Sequence, residues 1–133
     1  MIKISELQPG NLVIASYEDV QSEGIVKELN HEDKEVCVET AVQEFWYTPN
    51  DLYPVPLDDA QLKKLGFEKM DTGDHVKYMK GAFRLLVPKG NDFSDFEMWY
   101  REDRRHIRHL ISVHELQNHH YQMTKVELNL ELA

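Results

Sequence analysis

The sequence predicts an α+β protein: a small N-terminal β-barrel-like lobe, then an antiparallel sheet packed by two short helices and finished by a C-terminal strand. Three observations carry this expectation. The first third of the chain consists of short alternating runs separated by polar turns, with little helical period. Two segments, starting at Asp58 and Ser112, combine helix-capping residues with helical apolar spacing. The last stretch alternates strictly, with Val126, Leu128, Leu130 and Leu132 set against Glu127, Asn129 and Glu131.

In chain order, Leu7-Gln8-Pro9-Gly10 reads as a turn, because proline fixes φ and glycine takes positive φ freely. Strands follow at Leu12 to Tyr17 and at Glu23 to Leu29, the latter with Ile25, Lys27 and Leu29 on one face and Val26 on the other. His31 to Lys34 is a polar connection. Glu35 to Thr40 is a strand with Val36, Val38 and Thr40 together, and Val42 to Tyr47 adds an aromatic-rich one. The opening L-x-P-G-x-x-V pattern of Leu7, Pro9, Gly10 and Val13 resembles the first turn and strand of SH3-like barrels.

Residues 48–57 hold three of the five prolines and form the candidate boundary, dividing the chain into lobes 1–50 and 51–133, within one compact domain or as two. Asp58 and Asp59 then cap a short helix that Gly66 stops. An antiparallel meander of three or four strands follows. Val76 with Tyr78, Phe83 with Leu85 and Val87, and Phe96 with Met98 and Tyr100 each share a face, and Trp99 points opposite. Gly81 and the run Pro88 to Asp92 mark its turns. Ser112 and Glu115 have capping-box spacing, and Val113, Leu116, His120 and Met123 make one helical stripe.

Composition narrows the function. The net charge is −9, with 5 basic and 13 acidic residues in 1–66 against 10 and 11 in 67–133. Such a chain repels nucleic-acid phosphate at long range. Cys37 is the only cysteine, which excludes an intrachain disulfide and a multi-thiolate zinc site within one chain. The start MIKISEL has no apolar signal-peptide core, and no run approaches a membrane span, so the expected location is the cytoplasm.

Four constellations are candidates for chemistry. His114-Glu115 lacks the second histidine of H-E-x-x-H, since Asn118 stands at that place. His119, five residues on, is rotated by roughly 140° on a helix. No metal and no cofactor are expected. His114, Gln117 and Asn118 share helical spacing and read either as a binding cluster or, the favoured reading, as a buried network seating the helix. Arg101, Arg104, Arg105 and Arg108, interleaved with Trp99, Tyr100 and histidines, read as an anion surface or as partners for the acidic half, within the chain or across a dimer. Trp46 and Tyr47, with Phe45 and Tyr53, read as a protein interface or as core beneath the prolines.

Ile4, Glu6, Leu7, Gly10, Asn11 and Val13, then Pro54 to Leu57 with Leu62, Leu65, Gly66 and Phe67, and finally the Val113-His114-Glu115-Leu116-Gln117-Asn118 motif, resemble a group of small proteins of gut anaerobes, their phages and mobile elements. The group brings no assigned activity. It has Leu-Tyr where this chain has His119-His120, which implies packing substitutions, and Thr-Gly-Glu where this chain has Thr124-Lys125-Val126. The first expectation is therefore a non-enzymatic interaction or accessory protein with a protein partner and no membrane. The alternative is a nucleic-acid-associated module using Arg101 to Arg108. The third is a hydrolase-like enzyme using His114.

Overall fold

The computed structural model describes residues 2–88 and 92–130. Among these, the chain is mostly β, with two open antiparallel five-stranded sheets and two short α-helices. It divides into two compact units, Met1–Pro56 with Ser112–Asn118 and Leu57–Ile111 with His119–Ala133. The first crossing therefore falls at the end of the proline-rich stretch, after Pro56, and seven residues of the C-terminal helix segment group with the N-terminal sequence.

The first unit is built on strands β1 (Leu12–Tyr17), β2 (Val20–Asn30), β3 (Glu35–Thr40), β4 (Glu44–Tyr47) and β5 (Leu52–Tyr53), in the order β4-β3-β2-β1-β5. Entry to β1 follows the expected turn: Asn11 N–H donates to Gln8 C=O at 3.1 Å, with Gly10 at φ 96°. Proline at the second place and a left-handed glycine at the third define a type II turn. A register shift in β2 between Val26 and Glu28 changes the expected faces. Leu29 packs with Val26 against the core, which an unbroken alternation does not allow. The inner face collects Val13, Ala15, Val26, Val36, Val38, Tyr47 and Leu52, joined by Ile2 and Leu7. Each such burial is worth roughly 1.5–3 kcal/mol for a large side chain. Gly24 is required by packing: a Cβ there would stand 2.6 Å from Val38 Cγ1 and 2.9 Å from Glu39 O.

The second unit starts with helix α1 (Asp59–Lys64), capped by Asp58, whose carboxylate accepts from Gln61 N–H at 2.9 Å. Gly66, at φ 88°, closes it, as expected. The sheet follows as β6 (Glu68–Asp71), β7 (His75–Lys80), β8 (Phe83–Pro88), β9 (Phe96–Tyr100) and β10 (Asp103–Ile107), a plain meander. Strand β6 is absent from the sequence expectation because its residues, Glu68 to Asp71, are all exposed and present no apolar alternation. Part of the expected turn, residues 89–91, lies outside the described residues. Val76, Tyr78, Phe83, Leu85, Val87, Phe96 and Met98 are buried on one face. Tyr78 O–H donates to Asp59 at 2.7 Å, with Lys63 and Lys69 each 3.0 Å from the same carboxylate. These three donors hold the Asp59 carboxyl well below the usual range, the tyrosine bond contributing most.

Helix α2 (Val113–Thr124) begins in the first unit and ends in the second. The carboxylate half of its capping box forms: Ser112 N–H and O–H both donate to Glu115 Oε1, at 3.1 and 2.9 Å. The expected stripe of Val113, Leu116, His120 and Met123 is buried. The expected terminal strand does not pair over residues 126–130, and residues 131–132 lie outside the described set. Helix α2 ends instead in a left-handed Lys125 (φ 63°), and Leu128 is buried.

Candidate functional site

The polar cluster of α2 is the best-defined side-chain constellation in the first unit. Gln117 Oε1 accepts from Leu12 N–H at 2.8 Å, and its Nε2–H donates to Gly10 C=O at 2.9 Å. Asn118 donates to Glu6 C=O at 2.7 Å and accepts from Asn11 Nδ2–H at 3.1 Å. The turn that launches β1 is thus bonded to the helix through two adjacent amides. The terminal backbone groups of a turn have no ladder partner, and side-chain amides supply one. Gln117 and Asn118 are chemically spent on this contact.

His114 stands between Ser112 and Glu6, with Nδ1 2.9 Å from Ser112 Oγ and Nε2 3.4 Å from Glu6 Oε2. A Ser–His–carboxylate row invites comparison with a hydrolytic triad. Two facts oppose it. Ser112 and His114 are 6% and 1% exposed, so neither offers a reacting atom to a substrate. The Ser112 proton goes to Glu115, within the helix cap. Sequence reading missed Ser112 as a neighbour of His114 because both residues were explained by the helix itself.

The remaining histidines disperse. His119 bonds to Arg105 at 2.9 Å. His120, buried with its ring 4.7 Å from Phe83, bonds to Val126 C=O at 2.8 Å. Burial pushes the His120 imidazole below its ordinary pKa, with a smaller push from Lys80. His106 pairs with Asp95. Among the described residues no group of three or more His, Cys, Asp or Glu side chains is placed to hold a metal ion. No helix among them is long and apolar enough to cross a membrane.

The arginines of β10 are split by its alternation. Arg104 pairs across to Trp99, and Arg84 of β8 flanks the same tryptophan. The two guanidinium carbons lie 4.4 and 4.8 Å from the indole centroid. Arg104 also bonds to Glu97 at 2.8 Å. Arg105 faces the other way, bonded to His119 and to Gln122 at 3.0 Å. Arg101 sits in the β9–β10 turn at φ 55°, over Tyr100, and Arg108 lies beyond β10. The four cations therefore do not form one stripe, and Trp99 already carries two guanidinium neighbours.

The aromatic strand β4 behaves differently. Tyr47 is buried in the first unit's core, whereas Phe45 and Trp46 are each 42% exposed. Phe45 lies 5.3 Å from Tyr17 and 5.4 Å from Tyr47. The β1–β2 and β3–β4 turns fall at one end of this sheet, and Tyr17, Val20 and Val42 there are 46%, 64% and 87% exposed. A shallow depression of about 200 Å³ is lined there by Ala15, Tyr17, Val20, Ser22, Thr40, Val42 and Tyr47, with Glu18 and Gln43 at its polar side. The β1–β2 connection places Glu18 and Asp19 at φ 49° and 65°, a left-handed pair that normally calls for Asn-Gly. On the opposite face, Cys37 donates to Glu44 at 3.5 Å, and burial followed by that carboxylate raises its pKa, keeping the thiol protonated and a poor nucleophile.

No family model, curated protein or solved structure matches the chain.

Proposed function

We propose that this chain is a non-enzymatic interaction protein that meets a protein partner through the turn end of its first unit. One observation carries the reading: Tyr17, Val20, Val42 and Phe45, all exposed, gather at that end beside a shallow depression. Isolated exposed apolar residues are ordinary, but a group of four with a concavity is the signature of a surface that is covered in use. The polar cluster agrees with this, because the Gln117 and Asn118 amides bond backbone and His114 is enclosed. Split arginines and a net charge of −9 leave the nucleic-acid alternative with less support than the protein one.

The motif resemblance supports a finer reading, an accessory protein of a bacterial mobile element or phage acting in the cytoplasm. A finer fold reading also belongs here. The fifth strand returns to pair with β1 directly after a 3-10 turn at Pro49–Asp51, and this order supports an SH3-like lobe. The alternation of residues 126–132 supports a half-buried C-terminal strand that closes the second lobe.

The test is a pull-down from the native host with wild type and a Phe45→Ala, Trp46→Ala double variant. Tyr47 is left intact because it is core. A specific partner recovered by wild type and lost by the variant, at unchanged melting temperature, is the expected result. Equal recovery by both proteins refutes this surface.

A further inference from the structure

We propose that the free edge of β4 takes up an extended segment of another protein, with Lys or Arg at alternate positions and apolar side chains between them. The inference rests on the reading above, that this end of the first unit is the interaction surface, and it names the partner's chemistry.

The backbone supplies the first argument. Strand β4 is the terminal strand of its sheet, bonded only to β3 among the described residues. The hairpin closes with Thr40 N–H donating to Gln43 C=O at 2.9 Å. Antiparallel pairing alternates bonded and non-bonded residues, so Phe45 and Tyr47 turn their backbone groups to β3, while Glu44 and Trp46 turn theirs outward. Those outward N–H and C=O groups are a template for one added strand.

Charge supplies the second argument. No Lys or Arg occurs between Lys34 and Lys63, and residues 1–56 carry eleven acidic against three basic side chains. Glu39 and Glu44 stand directly opposite one another on β3 and β4. Like charges in that position repel, and a cation laid alongside relieves them. Trp46 lies on the same face and offers a ring to the same cation. The other face of an added strand looks toward Phe45 and the depression beside Tyr17 and Val42, which suits apolar side chains. An alternating cationic and apolar strand satisfies both faces at once. A second copy of this acidic unit, and the chain's own tail with Glu127 and Glu131, both have the wrong sign.

The experiment titrates the full chain against three labelled nine-residue peptides by fluorescence anisotropy. One alternates Lys and Val, one has the same composition in blocks, and one alternates Glu and Val. The alternating Lys peptide is expected to bind, with affinity falling about tenfold between 50 and 300 mM salt. The other two are expected to bind at least about tenfold more weakly. A Glu39→Lys, Glu44→Lys variant, checked for an unchanged melting temperature, should prefer the Glu peptide. Equal binding of the blocked peptide overturns strand addition, and equal binding of the Glu peptide overturns the charge assignment. No binding of the alternating Lys peptide up to about 1 mM overturns the proposal, as does a chain dimer that this peptide dissociates. Any of these leaves the surface itself to be judged by the host pull-down with the Phe45→Ala, Trp46→Ala protein, so the two failures are distinguishable.

Discussion

Replacing Gln117 by Leu keeps nearly the same volume and removes both amide bonds. The Leu12 N–H is then left buried without an acceptor, at a cost of about 1–3 kcal/mol, and the half-buried Gly10 C=O adds roughly 1 kcal/mol. The extra apolar burial of Leu returns about 1 kcal/mol. The net destabilisation is about 1–3 kcal/mol, equivalent to a fall in melting temperature of about 4–11 °C for a chain of this size. Urea unfolding followed by tryptophan emission, together with thermal melts, measures it. Amide exchange adds a local readout, since the Leu12 N–H should lose protection ahead of Val36, whose bonds lie in the sheet interior. A Gln117→Leu protein that melts within about 1 °C of wild type, with Leu12 still protected, would show that the cluster does not seat the helix.

Three further outcomes follow from the same geometry. Gly24→Ala should destabilise by about 1–3 kcal/mol in urea unfolding, because its Cβ meets both Val38 and a Glu39 backbone oxygen that cannot move aside. Changing Glu18 and Asp19 to Asn-Gly should stabilise by about 1 kcal/mol in the same assay, since both positions have positive φ; an unchanged midpoint would mean the turn is not strained. The His120 pKa is lowered in the folded state, so its contribution is complete above the ordinary imidazole value of about 6.5 and is lost as pH falls from there toward the folded value. Melting curves between pH 7.5 and 5 should show that loss, and a His120→Leu variant should flatten it.

Much of the strand pattern was legible in the sequence, because each strand of a one-sided sheet announces its buried face by alternation. Strands β1, β3, β7 and β8 appear where their apolar residues alternate. Two capped helices were legible through Asp58 and through Ser112 with Glu115. Three things were not. The shift after Val26 reverses the face of Leu29, and no residue near it advertises a bulge. Strand β6 carries only exposed side chains and is held by backbone bonds to β7 and by the Lys69–Asp59 ion pair, neither of which leaves an alternating apolar pattern. The tail alternates strongly yet does not pair over residues 126–130, so period alone fixed a tendency and not a ladder. The site divided the same way. Helical spacing brought His114, Gln117 and Asn118 together, but their partners at Glu6, Gly10 and Leu12 are more than a hundred positions away and could not be inferred from spacing. Phe45 and Tyr47 lie on one face of β4, but only Tyr47, opposite Val36, reaches the core, while Phe45 sits nearer the hairpin end and stays exposed, a difference that alternation alone does not mark.

The grouping of Ser112–Asn118 with Met1–Pro56 has a consequence for biosynthesis. A chain leaving the ribosome exposes Leu12 and Gly10 long before Gln117 exists to receive them. At about 5–20 residues per second, translating the intervening stretch from 57 to 111 takes about 3–11 s. During that interval the nascent N-terminal strands lack the residues that bond their first turn, and a chaperone or a cognate polypeptide arriving then meets them before that turn is sealed.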